Sequence, residues 1–391
     1  MDIFVSELEK LNELGKIREG LNSYNINNHL LEWDVKFNVD IDSIDSDEII
    51  KSLVTHSLSD TNLDEQIEIK QFGQGLQRHL IYTLLKVSTE YVDKKESNKK
   101  EFDPDFTLIL FEEPEAFLHP SQQEVLNNSL NSLAENTGQQ ILISTHSPTF
   151  VSKNIDLIPS LIRIEKSNGV TRIFQITDEK KKEILRENDE LIEFLEKKYN
   201  SNDVNPDDKR ALDKLLNDDN KTKRLEEEAI KYLLWLDTER CCSFFADNVL
   251  ICEGPTEKRF LDYMIKNYWQ DHFKTKKIYV LESGGKFQIH RFMNLFEDLG
   301  INHSVLYDRD CSDLNDAKRG QKYINEFILM SNNNFTKNID YFNKDIESFL
   351  EVDMKDVRRD RKPLNLMWNY KKGNIAQERI DALKDKMIKL L

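Results

Sequence analysis

The chain has 391 residues, 39% hydrophobic and 32% charged, with 55 Lys plus Arg against 71 Asp plus Glu. That length suits two or three domains, each able to bury a core, and the balance is globular rather than disordered. The formal net charge of −16 excludes a general polyanion binder: contact with nucleic acid needs a local basic patch, or metal ions that screen the carboxylates.

No apolar run approaches the ~20 residues of a membrane span, so no membrane partner is expected. The opening residues MDIFVSELEK lack the basic and apolar regions of a signal peptide. Cys241, Cys242, Cys252 and Cys311 show no CxxC spacing, which supports neither a zinc site nor a disulfide framework and predicts reduced thiols in the cytoplasm.

In chain order, residues 4–14 have amphipathic-helix spacing, 32–41 alternate as a half-buried strand, and 64–72 hold a shorter strand. Leu76, Leu80, Tyr82, Leu84 and Leu85 recur at helical spacing, and 96–105 form a polar break. FTLILF (106–111) and QQILIST (139–145) predict strands buried on both faces, with a helix between them from about Ser121 to Glu135. SLIRIEK and TRIFQI predict a hairpin around Asn168-Gly169. Residues 178–240 are highly charged, free of glycine and helical in composition, which predicts a connector with a solvated face. From Asn248 a βαβ rhythm returns: strand NVLICE, a helix opened by Pro255, strand KIYVLES, a helix ending in glycine, and strand HSVLYDRD. The remainder, 311–391, reads as mostly helical.

Two constellations carry chemistry. In the first, LILFEEPE (108–115) ends an apolar strand in acids, where open α/β sheets bind ligands. Glu112 suits the magnesium of a nucleotide and Glu113 the polarisation of a water. ILISTHSP repeats the plan with His146, and upstream Gly73 and Gly75 of FGQGLQR precede a helix, where bare backbone amides can approach a phosphate. Singly these are a strand end, a structural histidine and a turn; their order is more specific. It resembles the C-terminal half of an ABC-type ATPase of the RecF/SMC-like class. The resemblance implies a signature motif at Gly73, Gly75 and Gln77 acting in trans, magnesium coordination by Glu112 in place of the usual Asp, Glu113 as base, and His146 on the γ-phosphate. A Walker A loop is absent from this sequence. Of 12 glycines only Gly15 and Gly285 precede lysine; Ile17 and Phe287 follow, and Lys10 and Val280 stand five before. ATP binding is therefore expected only with a P-loop supplied from elsewhere, and the chain alone is expected not to turn over ATP.

The second constellation is a set of carboxylates. Strand NVLIC ends in Glu253, with Glu257 on the first turn of the next helix. Strand IYVLES ends in Ser283-Gly284-Gly285, either a turn or a phosphate contact. Strand SVLY ends in Asp308-Arg309-Asp310. Acids at one sheet edge repel unless a counter-charge joins them, and magnesium is the natural one. Two such ions ~3.5–4 Å apart can activate water and stabilise a phosphodiester leaving group. Glu followed 55 residues later by Asp-x-Asp resembles a Toprim domain. With Asp345 and Glu347 in KDIESFL and the lysines of WNYKKG, the arrangement resembles the OLD (overcoming lysogenization defect) family of nucleases, Gabija-type nucleases included.

That resemblance implies an α/β chain: a partial ABC-type ATPase domain without P-loop (1–177), a charged helical connector (178–246), and a Toprim nuclease domain with a Rossmann-like parallel sheet and a helical C-terminal extension (247–391). It implies a nucleotide-regulated, metal-dependent DNA endonuclease or nickase, with a role in anti-phage defence. Glu253, Glu257, Asp308, Asp310, Asp345 and Glu347 would be Mg²⁺ or Mn²⁺ ligands or acid–base groups, holding two ions. Lys371 or Lys372 would stabilise charge on the scissile phosphate. DNA, a homo-oligomer and a P-loop-bearing or helicase-like protein are the implied partners. Lys258-Arg259, Lys286, Arg291, Lys318-Arg319, the run Arg358-Arg359-Asp360-Arg361-Lys362 and Lys371-Lys372 supply the local basic patch. The alternatives are a scaffold or regulatory subunit that needs a P-loop-bearing chain, and a primase- or topoisomerase-like Toprim protein.

Overall fold

The computed structural model describes residues 35–41, 54–60, 66–68, 71–73, 75–77, 80–81, 83–84, 106–135, 138–151, 155–167, 169–216, 237–273, 276–310 and 316–391. The helix expected at 4–14, Tyr82, Leu85, the break at 96–105 and Cys311 lie outside them. The chain divides into two units, Met1–Phe150 and Val151–Leu391.

In the first unit, β1 (Val35–Ile41) and β2 (Val54–Asp60) pair antiparallel, and β3 (Gln66–Glu68) extends β2. Strand β4 (Thr107–Glu112) pairs parallel with β5 (Gln139–Ser144) through helix α1 (Pro120–Ala134), which opens on Pro120. Leu126, Leu130 and Leu133 repeat at helical spacing on the buried side of α1, and Leu118, Phe150, Phe111, Ile141 and Ile143 complete that core. The expected burial of these strands on both faces is corrected among the described residues. Leu108, Leu110 and Leu142 lie on the other face and remain 50%, 65% and 53% exposed, because α1 covers one side of a two-stranded sheet.

The second unit begins ahead of the hairpin that the sequence reading groups with the ATPase segment. Strands β6 (Ile162–Ser167) and β7 (Val170–Gln175) form that hairpin. Arg163 donates to the carbonyls of Phe244, Leu299 and Gly300, and Phe174 packs edge-on against Phe335. Gly300 sits at φ +64°, where a Cβ would come to 2.3 Å of the Phe174 ring, so only glycine fits this turn. The charged stretch forms α2 (Asp178–Tyr199) and α3 (Pro206–Leu216). Their apolar stripe (Ile184, Leu191, Leu195, Leu212) joins the core of the same unit, so these helices are one of its layers as well as a solvated face.

The unit centres on a four-stranded parallel sheet, ordered β11-β10-β8-β9: β8 (Asn248–Cys252), β9 (Ile278–Glu282), β10 (His303–Asp308) and β11 (Thr336–Phe342). Alternate residues feed two cores. Val249, Ile251, Val305 and Tyr307 pack with α2, α3, α5 (Ile289–Asp298) and α6 (Asp316–Met330). Leu250, Cys252, Leu306 and Phe342 pack with α4 (Pro255–Asn267), α7 (Ile346–Phe349), α8 (Lys362–Lys371) and α9 (Gln377–Leu390). Helices on both faces of a parallel sheet explain why β8 and β10 are buried almost throughout. Strand β11 is the element that the mostly helical reading of 311–391 passes over; it is a half-exposed edge strand with a weak apolar pattern. Among the described residues no helix is long and apolar enough to cross a membrane.

Candidate active site

The order of the sheet decides where a site can form. From β8 the chain crosses through α4 to β9 on one side; from β10 it crosses through α6 to β11 on the other. The crevice at the carboxyl ends of β8 and β10 is thus the topological switch point of the sheet, where open α/β folds bind ligands. Glu253 leaves β8 there and Asp308 ends β10. The two meet directly: the Asp308 N–H donates to Glu253 Oε2 at 3.2 Å.

Glu257 reaches the same crevice from the first turn of α4 and is 5% exposed. Gly254, the residue that caps α4, leaves the space its carboxylate uses: a Cβ at Gly254 would lie 3.2 Å from Glu257 Oε2. Asp345 caps α7, accepting from Ser348 N–H at 2.8 Å, and Glu347 is buried on the turn it opens. Asp310 follows at φ +52°. Two lysines face these acids. Lys286 Nζ lies 3.6 Å from Asp310 Oδ2, and Lys362 Nζ lies 3.5 Å from Glu347 Oε1 and 3.9 Å from Asp345 Oδ2.

The electrostatics follow from burial. Desolvation pushes Glu253 upward against the opposing pull of Lys286. Desolvation, with Glu347 and Glu253 beside it, carries Glu257 up to about 7. Asp308 rises well above the usual carboxylate range, first by desolvation and then because Glu257, Glu253, Asp310 and Asp345 all bear on it. Asp308 Oδ1 is buried without a hydrogen-bond partner among the described residues. An orphaned carboxylate oxygen among further carboxylates is a fit for a hard divalent cation. Among the described residues no group of three or more His, Cys, Asp or Glu is drawn close enough to cage an ion unaided. Magnesium does not require such a cage, since one or two carboxylates, retained waters and substrate phosphates suffice.

A pH dependence follows. Without a cation, the folded-state value of Glu257 lies above the ~4.3 of an unfolded glutamate, so its contribution to stability is full below that value and is lost as pH rises through about 7. Relative to Glu257→Gln, the wild-type chain in EDTA is expected to lose about 3 kcal/mol between pH 5 and pH 8. Mn²⁺ is expected to restore it at pH 8, because the cation replaces the proton. Thermal melts of both proteins at both pH values measure this; parallel profiles in EDTA would count against it.

Sequence-expected residues that the structure brings together are thus Glu253, Glu257, Asp308, Asp310, Asp345 and Glu347. Lys371 and Lys372 are elsewhere: they sit exposed at the far end of α8, with the Lys371 ammonium 5.6 Å over the Tyr263 ring. Lys362, at the first residue of α8, lies beside Asp345 and Glu347, and the sequence reading names it only as part of a basic run. The unrecognised β11 is the reason, since it carries the chain to Asp345 and on to α8.

In the first unit, His146 Nε2 stands 3.5 Å from Glu113 Oε1, both largely exposed. Glu113 takes φ +43° and its N–H donates to Ser144, which sets it at the mouth of the β4–β5 pair beside Glu112. Glu115 braces the loop, accepting from Thr145 Oγ1 at 2.6 Å and the His146 N–H at 2.8 Å. Gly73 O accepts from the Leu76 and Gln77 amides. Gly75 has a packing role: a Cβ there would meet Phe117 O at 2.9 Å.

Comparisons with known proteins bear on both units. Residues 244–310 match the family model described as overcoming lysogenization defect protein-like, TOPRIM domain, and residues 2–151 match an AAA ATPase domain model. The chain is 26% identical to the Old nuclease of Escherichia phage P2 over 303 residues, covering 77% of this chain and 43% of that protein. It is 24% identical to Endonuclease GajA of Bacillus cereus strain HuB5-5 over 343 residues, covering 84% of this chain and 42% of that protein. It is 25% identical to the OLD nuclease of Thermus scotoductus over 202 residues, covering 52% of this chain and 30% of that protein. The chain thus spans less than half the length of these curated relatives. Residues 244–310 are thus similar to a TOPRIM domain of the overcoming-lysogenization-defect type and follow a segment similar to an AAA ATPase domain, in a chain similar in sequence to the Old nuclease and Endonuclease GajA.

Proposed function

We propose that this chain carries the nuclease centre of an OLD-type, metal-dependent DNA endonuclease or nickase. The observation that carries this reading is the meeting of Glu253 and Asp308, at 3.2 Å, on the switch-point crevice of a TOPRIM domain, with the buried Glu257 beside them. TOPRIM nucleases generally use divalent metal ions. Here Glu253, Glu257 and Asp308 would hold Mg²⁺ or Mn²⁺, which when bound supplies a lowered water pKa and charge stabilisation at phosphoryl oxygens.

The chain's own residues do the rest. Asp308 offers an oxygen that no donor among the described residues satisfies. Glu253 is aligned by the Asp308 amide. Lys362, paired with Asp345 and Glu347 and with its side chain 32% exposed, can swing between the carboxylates and a phosphate above them. The exposed Arg358, Arg359 and Arg361 just before α8, and Lys371 and Lys372 at its end, provide salt-sensitive contacts along a DNA backbone.

Glu112, Glu113 and His146 suit a nucleotide whose P-loop comes from another segment or chain, which makes nucleotide a regulator of DNA access rather than the fuel of cleavage. A homo-oligomer, a P-loop-bearing or helicase-like partner, a cytoplasmic location and a part in anti-phage defence belong to the same reading. The test is nicking of supercoiled plasmid by the purified chain. Nicking is expected with Mg²⁺ or Mn²⁺ and not with EDTA. Cleavage that appears only when a P-loop-bearing chain is added would make this chain a dependent subunit, and nucleotide incorporation in place of cleavage would favour a primase-like protein.

A further inference from the structure

The metal-dependent reading above leaves open what Lys286 does inside a carboxylate cluster. Lys286 is 3% exposed, and a lysine is almost never so buried unless it is paired. The chain is built to put it there. Gly284 at φ +80° and Gly285 at φ +124° turn the backbone sharply after β9, a course that side-chain-bearing residues resist. That turn is strapped to the β8 end: Ser283 N–H donates to Cys252 O and Gly285 N–H donates to Glu253 O, both at 2.9 Å. The Ser283 hydroxyl lies 3.1 Å from Gly285 O and 3.3 Å from Glu253 O. The loop that delivers Lys286 is therefore fixed to the backbone of the residue that presents the first acid.

From this loop the Lys286 ammonium reaches across to the end of β10. It lies 3.6 Å from Asp310 Oδ2 and donates to Arg309 O at 3.4 Å. The Arg309 carbonyl is itself held by Asn325 Nδ2 at 2.8 Å. Asp308 Oδ1, by contrast, is buried with no hydrogen-bond partner among the described residues. A compact ammonium at a carboxylate excludes a second cation from that oxygen by charge repulsion and by volume.

We propose that Lys286 is a built-in cation of the site: at Asp310 it takes the place of a second divalent ion, so that the DNA-free chain loads a single ion, at Glu253, Glu257 and Asp308. This rests on the metal-dependent reading and replaces the two-ion expectation with one ion and one lysine. Lys286 is a positioning residue in this scheme, acting through Asp310 and Glu253.

The experiment is Mn²⁺ binding to the DNA-free chain, counted by titration calorimetry and by the loss of free-Mn²⁺ EPR signal. The wild-type chain is expected to bind one ion, Lys286→Met two, and Lys286→Met with Asp310→Asn one again. Two ions in the wild-type chain, or one in a folded Lys286→Met, would overturn the proposal while leaving the metal reading in place. Should Lys286→Met not fold, Asp310→Asn decides: retention of the single ion with unchanged affinity supports the proposal, and a tenfold or greater loss of affinity overturns it. No ion in the wild-type chain would sink the metal reading and this proposal with it.

Discussion

Asp308→Asn is expected to abolish metal-dependent nicking, lowering the initial rate by about 10³-fold or more, since metal-assisted charge stabilisation contributes several kcal/mol and each ~1.4 kcal/mol is tenfold. Asp308 is the acid on which Glu257, Glu253, Asp310 and Asp345 all bear, and its Oδ1 is the oxygen left without a donor. An amide at that position keeps the volume and loses the negative charge that a cation needs. The substitution has a second signature that separates it from simple unfolding. It removes a buried like-charge conflict, so in EDTA at pH 8 the variant is expected to melt at or above the wild-type temperature. Plasmid-nicking rates and thermal melts test both halves. A variant within tenfold of the wild-type rate would remove Asp308 from the centre of the chemistry.

Lys362→Met is expected to lower the nicking rate by about 10²-fold, the cost of losing one preorganised charge at a developing oxyanion. Lys371→Ala and Lys372→Ala are expected to weaken DNA binding by about twofold each and to flatten its salt dependence, with little change in maximal rate. The contrast comes from geometry. Lys362 opens α8 within 4 Å of both Asp345 and Glu347, whereas Lys371 closes the same helix, about 14 Å further along its axis at 1.5 Å per residue. Rates at saturating DNA, compared with binding at two salt concentrations, separate the roles. A large rate loss in Lys371→Ala with a mild one in Lys362→Met would reverse the assignment.

Much of the centre is legible before any coordinates. The strand runs that end in Glu253 and in Asp308-x-Asp310 carry the apolar stretches VLIC and VLY, a pattern that belongs to parallel strands buried on both faces. The same rule misleads at β4 and β5, where Leu110 is apolar yet 65% exposed, because a run of leucines records what a strand is suited to bury and not whether a covering layer is present. Asp345 and Glu347 are grouped with Glu257 in the sequence only by the family resemblance and not by any local pattern, since β11 is polar enough to pass for a loop or helix start.

What the order of residues determined by itself is the chemistry on offer: carboxylates at strand ends, Glu112 and Glu113 among them without a Walker A loop in this sequence, and βαβ periodicity from Asn248 onward. Periodicity and strand-end composition are local properties, so they can be read along one dimension. What only the tertiary structure decided is which cations meet those acids. Lys286 follows β9 and meets Asp310, 24 residues further on, while Lys362 opens α8 and meets Asp345 and Glu347, 17 and 15 residues before it, in no local pattern, because strand order β11-β10-β8-β9 and two glycines at positive φ set those approaches. Charge pairing across a sheet depends on topology, and topology is the part of the fold that sequence spacing leaves open.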